Sequence, residues 1–243
     1  MTTLFISDLH LQPSQPRLLD GCLRFFKEQA RAIDALYILG DLFEAWIGDD
    51  DDAPWLNDFA AALQRVNESG TKLFFMHGNR DFLLGEQFAV RCGMQLLPEA
   101  TVIDLYGRPT LLMHGDTLCT DDVDYLKFRA QVRNPQWQQM ILSMPLDQRR
   151  LLAANLRQQS QMAGSNKAED IMDVTPAEVV NVMQAHGVDL LIHGHTHRPA
   201  RHELIVSGKP AQRIVLGDWR EGESMQYVRA DSNGEVQLLI GPL

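Results

Sequence analysis

The chain has 243 residues, 45% of them hydrophobic and 22% charged, so it can bury a full core in one domain and is not disordered. Its 32 acids against 22 bases leave a net charge of −10, the wrong sign for a protein that coats nucleic acid; bound divalent cations would offset several of those acids. Cys22, Cys92 and Cys119 are odd in number and scattered, which argues against a disulfide framework or a thiolate metal site and fits a reducing compartment.

The first apolar run, Leu4-Phe5-Ile6, starts almost at residue 1 and ends in Ser7-Asp8-Leu9-His10. No run approaches the roughly 20 apolar residues that span a bilayer, so the expected protein is cytosolic or held at a membrane surface. Leu18, Leu19, Cys22, Phe25 and Phe26 recur at helical spacing and predict a helix to about Ala32 with one buried stripe. A second apolar run, from Leu36 to Leu39, ends in Gly40-Asp41. The acidic stretch from Gly48 to Pro54 lacks the alternating ligands of a calcium loop and reads as a solvated loop.

Leu56, Phe59, Ala60, Leu63 and Val66 predict a helix closed by Gly70. The third run, Leu73 to Met76, leads into His77-Gly78-Asn79-Arg80-Asp81, and a short helix follows to Gly93. Alternating strand and helix predict βαβ units and a largely parallel sheet. Residues 94–116 read differently, as short strands with a hairpin at Tyr106-Gly107-Arg108-Pro109 and an end at His114-Gly115-Asp116.

The segment 125–167 is helical in composition and carries Lys127, Arg129, Arg133, Arg149, Arg150, Arg157 and Lys167 against the single acid Asp147; seven against one gives +6. Trp137, Met140, Ile141 and Met144 form one apolar stripe, and Leu151, Leu152 and Leu156 another. Two readings compete: helices with basic faces in solvent, or a basic, Met-rich lid over an acyl or anionic ligand.

Thr175-Pro176-Ala177-Glu178 predicts a helix start with Thr175 as N-cap and Glu178 completing a capping box. That helix runs to His186-Gly187. Leu190-Leu191-Ile192-His193-Gly194-His195-Thr196-His197 is the fifth apolar run that ends in metal-binding side chains. Segments 213–219, 225–229 and 235–240 read as strands that close a second sheet.

Five strand ends can thus converge Asp8, His10, Asp41, Asn79, His114, His195 and His197 on one point. Four imidazoles, two carboxylates and an amide oxygen suit Mn, Fe or Zn better than Ca or Mg. Seven donors exceed the need of one ion, so two ions are expected, with Asp41, on the second strand, as the bridge. Such a pair generates hydroxide near neutral pH and holds phosphoryl oxygens, which makes phosphate-ester hydrolysis the expected chemistry.

The order Asp-x-His, Gly-Asp, Gly-Asn-Arg-Asp, His-Gly-Asp, Gly-His-Thr-His resembles the calcineurin-like metallophosphoesterases from Asp8 to His197. The resemblance implies a mixed α/β fold: a four-layer α/β/β/α sandwich in one domain over 1–243, with a helical lid insertion at about 122–167. Many members carry His where this chain has Arg80. Arginine keeps its proton, so the leaving group should need no acid, as a phosphomonoester does not; this points to a pyrophosphate bond.

Longer motifs, including 38–50, 77–85, 113–122 and 192–199, resemble a branch that cleaves a UDP-linked diacylglucosamine in lipid A biosynthesis. That branch implies two Mn ions and water attack on the α-phosphate, giving UMP and a diacylglucosamine 1-phosphate. It also implies a peripheral place on the cytoplasmic face of the inner membrane, through the basic apolar lid. Residues carried over as catalytic are the seven ligands with Arg80, and as substrate contacts Asn79, Arg80, Asp122, Ser160, Gly164, Lys167 and His195. Relatives often have Asn where this chain has Gly164. A monomer with no nucleic-acid partner is expected. A broader soluble-nucleotide phosphodiesterase and a non-catalytic scaffold are the alternatives; the lid argues against the first and the complete ligand set against the second.

Overall fold

The computed structural model describes residues 1–165, 173–222 and 224–242. Near-continuous apolar runs become strands buried on both faces, as expected where helices cover a parallel sheet. In the first sheet, β1 (Thr2–Ile6), β2 (Ala35–Ile38), β3 (Lys72–Met76) and β4 (Met94–Leu97) lie parallel in that order. The second contains β5 (Ala100–Leu105), β6 (Arg108–Met113), β7 (Leu190–His193), β8 (Ala200–Val206) and β9 (Lys209–Val215), in the order β5-β6-β7-β9-β8. Its central strands β6, β7 and β9 are parallel, and hairpins form both edges.

Three apolar clusters define the layers. Helices α1 (Pro16–Glu28), α2 (Trp55–Glu68) and α3 (Glu86–Arg91) pack Phe25, Phe59 and Phe88 on Ile6, Ile38 and Phe75 of the first sheet. Phe5, Leu39 and Met76 meet Leu112, Ile192 and Ile214 between the sheets. On the far side, α7 (Pro176–His186) sets Val179 and Met183 against Leu111 and Leu191. The result is the expected α/β/β/α sandwich. At about 1.5–3 kcal/mol for each fully buried large side chain, the middle cluster alone fixes the strand register, since a one-residue slip would turn those side chains to the wrong face.

Several expectations change. The C-terminal tail does not close the second sheet: β10 (Ser224–Asp231) and β11 (Val236–Pro242) extend the first, with β10 antiparallel to β1. Strand β8 does not stand out in the sequence because it is a largely exposed edge that opens on the polar run Arg201-His202-Glu203, turned back by Ser207 and Gly208, both at positive φ. Helix α1 stops at Glu28 rather than near Ala32, whose φ of 56° ends the helical path. Thr175 does sit at the N-cap of α7, but its side chain makes no cap hydrogen bond and pairs with Thr120 Oγ1 at 2.6 Å, so the capping box is not formed.

The insertion forms α4 (Val123–Val132), α5 (Pro135–Leu142) and α6 (Leu146–Ser165), broken where Pro135 and Pro145 deny the helix a backbone donor. Asn134 caps α5 by accepting from the backbone N–H groups of Gln136 and Trp137. Gly164 lies in α6, while Lys167, the expected end of the insertion, falls outside the described residues. Among the described residues no helix is long and apolar enough to cross a membrane.

Candidate metal centre and lid cavity

Each strand run stops where the chain turns sharply, and five of the seven candidate ligands sit there in the left-handed backbone region: Asp8, His10, Asp41, His195 and His197, with φ from 49° to 69°. Non-glycine residues rarely adopt that region, and its use here aims successive side chains at one point. The neighbouring glycines allow the close approach. A Cβ on Gly40 would lie 2.6 Å from Gly78 Cα and from His114 Nδ1, and one on Gly194 would collide with Asp8 Oδ2.

All seven side chains converge. Asn79 Oδ1 lies 3.0 Å from His114 Nε2 and 2.9 Å from His195 Nδ1. His10 Nε2 faces His197 Nε2 at 3.2 Å, and His197 Nε2 lies 3.3 Å from Asp8 Oδ1. Asp8 is fully buried, yet its Oδ1 accepts no hydrogen bond. Ligands about 2.1 Å from one ion, on adjacent octahedral vertices, lie about 3 Å apart, so these spacings and the orphaned oxygen fit a cation site. Two tight groups stand out, Asp8/His10/His197 and Asp8/Asp41/His114, overlapping at Asp8. The residues therefore fit divalent metal.

Further side chains hold the ligands, and the sequence did not single these out. His114 Nδ1–H donates to Leu39 O at 2.8 Å, which leaves Nε2 for metal. Glu44 Oε2 lies 3.3 Å from His10 Nδ1, and Asp218 Oδ2 lies 3.5 Å from His197 Nδ1. Asp81 accepts from the N–H groups of Gly78, Leu42 and Asp41, fixing both ligand loops; its burial and the charge of Asp41 raise its pKa to about 6. Ser7 Oγ–H and the His195 N–H both donate to Asp8 Oδ2.

Burial would raise the Asp8 carboxyl, but His197, then His114 and His10, outweigh it and hold it well below the ordinary range. Burial and the charge of His114 push His195 down to about 4. A carboxylate and a neutral imidazole are the forms that coordinate metal. Asp116, of the His-Gly-Asp run, is no ligand: it accepts from Tyr125 Oη and Arg129 Nε, and ties α4 to the sheet beneath His114 and His195.

The lid arginines do not form the solvated basic face that the first reading of the insertion expected. Arg149 and Arg150 pair with Asp50, Asp51 and Asp52; Arg129 and Arg133 pair with Glu99; Arg157 pairs with Glu44. The acidic loop is therefore not simply solvated. It receives the lid, while Asp49 accepts from Trp46 Nε1 and from the N–H groups of Gly85 and Phe88.

Beneath the lid lies a cavity of about 550 Å³. Its apolar lining includes Trp46, Phe82, Phe128, Trp137, Ile141 and Leu156, and its polar lining includes Asn79, Arg80, Asp122, Ser160, His195 and His197. Five of the expected substrate contacts thus line one chamber that opens on the ligand cluster. The Arg80 Nε–H is buried there without a hydrogen-bond partner among the described residues, while its backbone N–H donates to Asp41 Oδ1 at 2.8 Å.

A four-layer sandwich with clustered Asp, His and Asn side chains at its strand ends defines a metallophosphoesterase, and the chain belongs to the calcineurin-like phosphoesterase family, whose model matches residues 1–199. A solved archaeal phosphodiesterase shares the fold, with a TM-score of 0.50 over 99% of both chains at 12% identity. Much nearer in sequence are UDP-2,3-diacylglucosamine hydrolases. That of Cellvibrio japonicus is 62% identical over 90% of this chain and 91% of its own. Those of Marinobacter nauticus and Salmonella arizonae are 56% and 55% identical over the whole of this chain and 99% and 100% of theirs. Identity at this level over full length puts the chain among those hydrolases.

Proposed function

We propose that the chain hydrolyses the pyrophosphate bond of UDP-2,3-diacylglucosamine, giving UMP and 2,3-diacylglucosamine 1-phosphate in lipid A biosynthesis. The observation that carries this is the apolar chamber joined directly to the ligand cluster: acyl chains fit the Trp46/Phe82/Trp137 wall while the diphosphate meets Arg80. Asp8, His10, Asp41, Asn79, His114, His195 and His197 would hold two Mn2+ ions, with Asp41 as the bridge; other divalent ions suit the same donors. When bound, such a pair supplies hydroxide at neutral pH and neutralises phosphoryl charge.

The protein's own part is positional. Arg80 directs a guanidinium N–H at a phosphoryl oxygen, and its permanent charge matches a leaving phosphomonoester that needs no proton. Asp122 and Ser160, on the chamber wall, orient the sugar. Tyr125 and the lid helices keep bulk water off the acyl end. The enzyme acts as a peripheral monomer at the cytoplasmic face of the inner membrane. The side chains suited to meet lipid are apolar: Met140 is 55% exposed and Leu151 64%, and Phe128 and Leu142 of the lid are exposed as well.

Hydrolysis in oxygen-18 water with Mn2+ tests the reading. Label in UMP is expected; label in the lipid 1-phosphate would move the attack to the other phosphorus, and no turnover of this substrate would remove the proposal.

A further inference from the structure

A second cavity, of about 650 Å³, opens on the other half of the ligand set. The lid chamber is lined by Asn79 and His195, whereas this one is lined by His10 and shares Glu44, Arg80, Arg157 and His197 with the chamber. Its outer wall is mostly polar, with Gln12, Gln15, Asp218, Arg220 and Glu221 beside Trp219. Nothing in the acyl-binding role of the lid uses this wall.

We infer that this cavity is the nucleoside subsite, in which the amides of Gln12 and Gln15 read a uracil edge and Glu221 meets the ribose. The inference rests on the hydrolase reading and extends it to the other end of the substrate. A substrate with one apolar and one polar end, cut between them, must leave the metal cluster in two directions. The apolar direction is taken by the lid chamber, and this polar cavity also opens at the cluster, through His10 and His197.

Uracil presents carbonyl, N3–H and carbonyl in a row. One primary amide offers an N–H and a C=O side by side, which pairs with N3–H and one carbonyl, and a second amide N–H completes the other carbonyl. Gln12 and Gln15 are half-buried, both line the cavity, and a turn hydrogen bond from Gln15 N–H to Gln12 O at 3.1 Å joins their backbones. Neither side-chain amide is hydrogen-bonded to a described residue, although Gln15 stands at the N-cap of α1. Glu221 accepts from the Arg17 N–H through Oε1 at 3.0 Å, which leaves Oε2 to accept from a ribose hydroxyl. Arg80 and Arg157, common to both cavities, then flank the diphosphate at the junction.

The test is calorimetric titration of the Mn-loaded protein with UMP, with AMP and with 2,3-diacylglucosamine 1-phosphate, for the wild type and for Gln12→Leu/Gln15→Leu. The expected result is UMP affinity about tenfold weaker in the double variant, a closed gap between UMP and AMP, and unchanged affinity for the lipid product. Unchanged UMP affinity, or an equal loss for UMP and the lipid product, would overturn the subsite. Gln12→Glu keeps the size but removes the amide N–H2, and should weaken UMP while the fold is retained. A wild type that binds UMP but does not cleave the UDP-lipid would defeat the hydrolase reading instead, so the two failures are distinguishable.

Discussion

Replacing Arg149 with methionine should open the lid, and the structure says which of its bonds matters. The Arg149 side chain is 3% exposed; Nη1–H donates to Ile47 O at 2.6 Å and Nε–H to Met144 O at 2.9 Å, and the guanidinium pairs with Asp50. The Asp50 side chain is 62% exposed, so water screens that ion pair to about 0–1 kcal/mol. The carbonyls decide the outcome: an unpaired buried acceptor costs about 1–3 kcal/mol, in full for buried Ile47 and in part for half-buried Met144. Arg149→Met should therefore cost about 3 kcal/mol of lid docking, roughly a hundredfold in opening, whereas Asp50→Asn should cost less than tenfold. Amide hydrogen exchange along α6 measures this, since local opening is what exposes that helix. Equal losses of protection in the two variants, or none with Arg149→Met, would refute the reasoning.

If Asp41 is the bridge, Asp41→Asn should strip both ions and turnover together while Asp8→Asn loses one; the reverse pattern in bound-metal analysis would move the bridge to Asp8. Arg80→Ala should lower kcat by about 10²–10³-fold with two ions still bound, whereas metal loss would make Arg80 structural. Burial works to raise the Asp116 carboxyl, but His114, His195, Arg129 and Tyr125 hold it well below its ordinary 3.8. Its ionised form thus adds stability at neutral pH that is lost as pH falls from 3.8 towards the native value; the Tm gap between wild type and Asp116→Asn should be widest near pH 7 and close in acid. Met140→Asp with Arg157→Ala should harm turnover of the diacylated substrate more than of a short-chain analogue, and equal harm would remove the lid from acyl binding.

The ligands were legible because each follows an apolar run long enough to be a strand, and parallel strands present their C-terminal ends on one side. What supports the ligands was not. Asp81 and Asp116 lie in the same short motifs as Asn79 and His114, and no pattern separates a carboxylate that binds metal from one that accepts backbone or lid donors. The pairing of Asp50 with Arg149 spans 99 residues, so each charged stretch looks solvated when read alone. The parallel βαβ units followed from alternation and the four-layer order from the family resemblance, but β8 and the placement of β10 and β11 did not follow from either, because edge strands carry little apolar signal and strand order is set by partners far along the chain.

The donors are divided between the sheets: Asp8, His10, Asp41 and Asn79 follow strands of the first, and His114, His195 and His197 follow strands of the second. Coordination would therefore add to hydrogen bonds that already cross there, His114 to Leu39 and His195 to Asp8 among them, and rivet the two sheets across their shared apolar seam. Chelation should loosen the whole sandwich rather than one loop, making resistance to unfolding a gauge of cation supply.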